Sequence, residues 1–270
     1  MNSFLEEIHS EPMEKWNGDE VENNIEQEFE SDKGFFWSDS KVETLSEVAE
    51  RLHELGIENV DLTGAKEIWQ KKILSSVETM IESHPELNGW IGNIRTAKLQ
   101  DGVYACAGPR MTEQGISSEI QLNENMLSKS NLEMKIVDME AENFKGERWF
   151  AGKGLDGVLK HEMAHIMHLK MIADKEGISF GDSDKEKFDL LSQKFYRNAI
   201  AVTICNDSLK ELGISPKDIG KELSTYGASD LGEFFAEAIS ECETSKKPRP
   251  LARKVYEKYS EYLENKEVEL

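Results

Sequence analysis

His161 and His165 stand four residues apart in His161-Glu162-Met163-Ala164-His165, and no proline interrupts the chain from 154 to 171. The flanking segments GLDGVLK and IMHLKM are compatible with a helix. Residues four apart on a helix lie one turn apart on the same face. Two imidazoles so placed converge on one point, where a tetrahedral zinc takes nitrogen ligands at about 2.0–2.1 Å. Glu162 is rotated by about 100° from His161. It is badly placed to share the ion and well placed to take the proton of a water held there. The plainer alternative is two surface histidines on an amphipathic helix.

His168 shares that face. It lies seven residues after His161, about 10 Å along the axis at 1.5 Å per residue, too far for one ion on a straight helix. It is expected beside the site or in plain packing. The extended HExxHxxGxxH pattern fails, because His168 takes its glycine position and Met171 its third histidine position.

Around this segment the chain reads as α+β: a small mixed sheet followed by a predominantly helical C-terminal half. Val42, Leu45, Val48, Leu52 and Leu55 recur at helical spacing up to Gly56. A short strand is expected at 58–62. Thr63 then caps a helix to about 83, with Ile68, Trp69, Ile73, Val77 and Ile81 as its buried stripe. Strands are expected at 91–99 and 103–107, joined by the turn Gln100-Asp101-Gly102. In 116–122 apolar and polar residues mix, which suggests a half-exposed strand near a sheet edge. Helices follow at 154–175, at 183–212 with Ser183 and Glu186 as a capping box, from about Asp230, and at 250–265.

Residues 1–40 are acidic with isolated aromatic residues, among them Phe35, Phe36 and Trp37. They read as an N-terminal arm, partly disordered and available to a protein partner. Residues 41–270 read as the folded domain. A formal net charge of −21 opposes nonspecific binding to nucleic acid and to anionic membrane. The three cysteines Cys106, Cys205 and Cys242 form no CxxC pair, so a disulfide scaffold and a cysteine-rich zinc knuckle are disfavoured. Cys205, inside AIAVTIC, looks like core. The start MNSFLEEIHSEPMEKW has neither a basic nor an apolar leader region, and no run approaches the ~20 apolar residues of a membrane span, so a cytoplasmic location is expected.

A catalytic zinc keeps three protein ligands and one open position. No histidine follows His168, so a third ligand lying downstream must be a carboxylate. The best segment for it is Leu223-Ser224-Thr225-Tyr226-Gly227-Ala228-Ser229-Asp230-Leu231-Gly232-Glu233-Phe234-Phe235-Ala236-Glu237-Ala238. HExxH followed by Tyr-Gly and Glu-Phe-Phe-Ala-Glu-Ala resembles the anthrax lethal factor-like zinc peptidases. These are gluzincins of zincin-like fold, with Pro-Pro endopeptidases and phage head-associated metallopeptidase domains among their relatives. The resemblance covers about the last 120 residues in detail. It implies that Glu233 is the third ligand and Tyr226 the catalytic tyrosine. With Asp230, Glu233 also fits an ordinary helix-capping pattern. Glu237, one turn on, either accepts a hydrogen bond from the second nitrogen of a ligating histidine or is a solvated glutamate. Tyr226 reads either as a half-buried aromatic or as a phenol aimed at a developing oxyanion, which the turn at Gly227 helps to aim. Nothing matches the large receptor-binding region of lethal factor.

The expected function is thus a zinc-dependent endopeptidase carrying one zinc per chain and acting on a protein or peptide. The extended substrate would lie along the strand at 116–123. The alternative is a phage head-associated or other structural protein that retains a zincin fold, with a virion location. A structural zinc needs no Glu162, which disfavours that alternative. A further alternative is a regulator whose acidic arm binds a partner.

Overall fold

The computed structural model describes residues 45–100, 102–128 and 149–267, all within one unit, residues 41–270. The acidic arm at 1–40, with Phe35, Phe36 and Trp37, lies outside the described residues. The architecture is mixed α+β, a four-stranded mixed sheet followed by a helical C-terminal half.

Helix α1 (Leu45–Glu54) buries Val48 and Leu52 and is followed by a turn at Gly56, whose φ of 84° favours glycine. Strand β1 (Asn59–Asp61) leads to helix α2 (Glu67–Ser83). That helix begins later than expected. Thr63 is engaged by the Asp61 carboxylate, which accepts from its hydroxyl at 2.7 Å, so it caps a turn and not the helix. Ile68 also departs from the expected stripe and is half exposed; Trp69, Ile73, Leu74, Val77 and Met80 make the buried face.

The remaining strands are β2 (Asn93–Ala97), β3 (Ala105–Thr112) and β4 (Gly115–Asn123). The sheet order is β1-β2-β4-β3, with β3 antiparallel to β4 and the other pairs parallel. Two expectations fail here. Strands β2 and β3 do not form a hairpin, because β4 is inserted between them; the hairpin is β3–β4. And β4, expected near an edge, is central and buried along almost its whole length. Its polar residues are covered by each other's partners. Glu119 accepts from Arg95 Nε at 2.7 Å and also meets Arg110 and Gln121. Asn93 donates to Ser118 O at 2.9 Å. The antiparallel edge is β3, where Pro109 costs no ladder hydrogen bond on the open side.

Helix α3 (Gly154–Glu176) carries the histidine pair and packs on α2, β3 and β4. It is buried on nearly every face, so it runs through the core. Gly177, at φ 66°, closes it with a left-handed cap. The expected single helix at 183–212 is two: α4 (Lys185–Tyr196) and α5 (Ala201–Leu212). Asp184, not Ser183, caps α4, accepting from Glu186 N at 2.8 Å. The break contains Asn198, at φ 55°. Helices α6 (Leu231–Thr244) and α7 (Pro250–Glu267) complete the fold, with α6 packed along α3. No helix among the described residues is long and apolar enough to cross a membrane.

Candidate metal centre

Two helices deliver the cluster, and their pairing is held at both ends. At the C-terminal end of α6, the buried Lys160 ammonium donates to Glu243 O at 2.9 Å, placing a cation on carbonyls of the last turn. Along the interface Ser240 Oγ donates to Gly157 O at 2.8 Å. A side chain at Gly152 would collide with that hydroxyl, its Cβ falling 2.1 Å away. At the N-terminal end Asp230 caps α6, accepting from Gly232 N at 2.6 Å. Asn198 Nδ2 donates to both oxygens of the same carboxylate at 2.9 Å. The α4–α5 break thus pins the helix that carries Glu233 in its first turn.

The pairing brings His161, His165 and Glu233 together. His161 Nε2 lies 2.9 Å from Glu233 Oε2, His165 Nε2 lies 3.1 Å from His161 Nε2, and His165 Nε2 lies 3.4 Å from Glu233 Oε2. Ligands at about 2.0–2.1 Å from a tetrahedral centre stand about 3.3 Å apart, so one divalent ion fits among these three atoms. Among the described residues this is the group of histidine and carboxylate side chains that can hold a metal.

Proton accounting supports the fit. His161 Nδ1 faces Glu237 Oε1 at 2.8 Å, so Nδ1 carries the hydrogen. In neutral His161, Nε2 is then a lone pair, yet it faces a carboxylate oxygen and another ring nitrogen. Either a second proton or a cation resolves that crowding of acceptors. Burial works against the imidazolium, but the Glu233 and Glu237 carboxylates outweigh it and lift the His161 pKa well above its usual value. A metal entering here displaces that proton. Glu233 is held ionised against burial by its hydrogen bonds to His161 and His165, and its pKa falls far below the carboxylate range.

Glu162 lies beside this group on α3, is buried, and its Oε2 has no hydrogen-bond partner. Burial pushes its pKa up, partly offset by the charges of His161 and His165. An unpaired buried carboxylate oxygen beside three converging ligands is suited to take a proton from a small polar molecule.

Tyr226 is half-buried, its ring 5.6 Å from that of His161. Burial and the charges of Glu233, Glu162 and Glu237 hold its phenol protonated, hence a donor. Its ring also packs edge-on against Phe150 at 5.4 Å. Gly227 lies in a turn, as expected, and it also allows a close approach, since a Cβ there would stand 2.9 Å from Ser224 Oγ.

Glu237 is not solvated. It is 1% exposed and accepts from His161, from Ser224 Oγ at 2.8 Å and from the backbone N–H of Ala151. His168 is neutral packing. It is 1% exposed, stacks on Phe195 at 5.4 Å, and burial presses its pKa to about 3. Lys160, Asn198, Ser224 and Ala151 were not legible as parts of the site, because no spacing in the sequence marks their partners, which lie 83, 32, 13 and 86 residues away. A cavity of about 750 Å³ lined by Asp61, Arg95, Arg110, Glu113 and Glu119 includes no member of the cluster. No protein-family model, curated protein or solved structure matches the chain.

Proposed function

We propose that this chain is a zinc-dependent endopeptidase of zincin-like fold, akin to the lethal factor-like peptidases it resembles. The observation that carries the reading is the convergence of His161 Nε2, His165 Nε2 and Glu233 Oε2 beside the unpaired, buried Oε2 of Glu162.

Zinc bound by those three side chains would acidify a water and polarise a peptide carbonyl. Glu162 receives the proton of the attacking water and returns it to the leaving amine, a task for which its unpaired Oε2 is free. Tyr226 donates its phenolic hydrogen to the oxygen on which negative charge develops. Glu237 keeps the hydrogen of His161 on Nδ1, leaving Nε2 free as a ligand.

The strand first assigned to the substrate, 116–123, has both edges taken by β2 and β3. The peptide is assigned instead to the free edge of β3, which ends the sheet among the described residues and packs on α3. There a substrate can add as an extended strand.

The test is the purified chain, assayed for zinc and for cleavage of a proteome-derived peptide library, with Glu162→Gln as control. About one zinc per chain is expected in both proteins. Cleavage falls by about a thousandfold or more in the variant. Equal cleavage by the variant removes the mechanism. A zinc-loaded wild type that cleaves nothing favours the structural-protein reading.

A further inference from the structure

The Glu237 carboxylate does more than orient His161. While Oε1 faces His161 Nδ1, Oε2 accepts both from the backbone N–H of Ala151 and from the hydroxyl of Ser224, the latter at 2.8 Å. Ser224 Oγ in turn accepts from the N–H of Gly227 at 2.9 Å. Its one donor is spent on Glu237 and an acceptor site on Gly227, so the hydroxyl is fixed in rotation. Between Ser224 and Gly227 sits Tyr226, whose own N–H donates to Trp149 O at 3.0 Å. The segments 149–151 and 224–227 and the imidazole of His161 therefore meet on one carboxylate.

The meeting point is dry and crowded. Ser224 is 0% exposed, Glu237 1% and Ala151 2%. A Cβ on Gly227 would stand 3.2 Å from Leu223 Cδ2 and 3.4 Å from Glu237 Cβ. Removing the Ser224 hydroxyl leaves the buried N–H of Gly227 without its acceptor and takes one of three donors from Glu237. The His161 hydrogen bond stays in place. The loss thus falls on the turn that carries Tyr226.

We propose that Ser224 is a positioning residue that couples the His161 end of the metal cluster to Tyr226 through Glu237, setting where the phenol stands. This rests on the reading of Tyr226 as the oxyanion donor. Side chains displaced by about 1 Å from a reacting group lose up to a hundredfold in rate.

Ser224→Ala, Tyr226→Phe and the double variant are compared with the wild type for kcat, KM, zinc affinity and amide exchange. For Ser224→Ala, kcat falls about ten- to a hundredfold while KM stays within about twofold. Zinc affinity stays within about threefold, since the imidazole keeps its partner. In the Tyr226→Phe background the same change costs less than about twofold, because the group that it positions is already gone. Exchange in peptides covering 224–228 and 149–152 accelerates by about tenfold, the loss of one hydrogen bond. Gly227→Ala, which crowds the same hydroxyl, gives the same pattern. Additive losses in the double variant overturn the proposal, as does unchanged exchange in both segments. If the wild type cleaves no peptide, the enzymatic reading falls by itself. Exchange then decides whether Ser224 holds the turn.

Discussion

His161 Nδ1 and Glu237 Oε1 lie 2.8 Å apart in the interior, with Glu237 one turn beyond Glu233 on the same helix. One helix turn thus supplies a carboxylate to each side of the same imidazole. Glu233 meets Nε2 and Glu237 meets Nδ1. The inner carboxylate fixes the tautomer, and the outer one joins the cluster. Glu237→Gln keeps the volume but weakens the hold on Nδ1, and zinc affinity is expected to fall about 10–100-fold. A chelator-competition titration measures it. Unchanged affinity would show that His161 is oriented by other contacts.

His168 shares the helix face of the ligand pair but is shut into an apolar pocket between Phe195 and Phe235, its Nε2 without a partner. His168→Leu removes a buried polar atom that gains nothing from hydrogen bonding. Zinc content is expected to stay at the wild-type level, with stability changed by less than about 1.5 kcal/mol. Loss of zinc from the variant would reinstate His168 as a ligand.

Some local signals in the sequence are carried into the structure, while the caps expected at Thr63 and Ser183 are not, and pairing across distance is not legible at all. The spacing of His161 and His165 and the Asp230 cap each depend on a few neighbouring residues, and each is found where expected. Strand β4 shows why other features were hidden. Ser117, Glu119 and Gln121 alternate with Ile116, Ile120 and Leu122, a pattern that normally means one face in water. Here the polar face is covered by Arg95, Arg110 and Asn93 from the flanking strands, so burial is bought with ion pairs and hydrogen bonds from partners remote in sequence. The break at Asn198 was equally hidden. A left-handed asparagine is stabilised there by Asp230, a contact 32 residues away. The candidate site divides the same way. The motif residues could be read directly, while Ser224, Ala151 and Lys160 needed the packed helices to reveal them.

Tyr226 carries a second separable prediction. Its phenol is kept protonated by burial and by the surrounding carboxylates, so its hydrogen is there to be donated. Tyr226→Phe removes that donor and leaves the ring contacts with Phe150 and His161 available. An expected loss of about 10²–10³ in kcat accompanies unchanged zinc content. A variant as active as the wild type would restrict Tyr226 to packing.

His84 lies between two carboxylates, Glu86 just after α2 and Glu243 on α6. Its Nδ1 faces Glu86 Oε1 at 3.2 Å and its Nε2 faces Glu243 Oε1 at 3.0 Å. Tyr259 donates to Glu86 at 2.5 Å and Tyr256 to Glu243 at 3.0 Å, and the Lys160 charge also acts on Glu243. Burial alone would lower the His84 pKa, but the two carboxylates outweigh it and raise it from 6.5 to about 9. A group with a raised folded pKa contributes fully below its unfolded value and loses that contribution as pH rises through the folded one. The His84 contribution is therefore complete below pH 6.5 and disappears as pH climbs through about 9. The depressed pKa values of Glu86 and Glu243 set the other limit, their contribution fading as pH falls below the usual 4.5. The expected decline on the alkaline side is at most about 3 kcal/mol. Urea unfolding from pH 6 to pH 10 measures it, with His84→Gln as the comparison. The variant should be less stable at the acidic end and converge on the wild type at the alkaline end. Parallel profiles for the two proteins would mean that the charge on His84 contributes nothing to holding α2, α6 and α7 together.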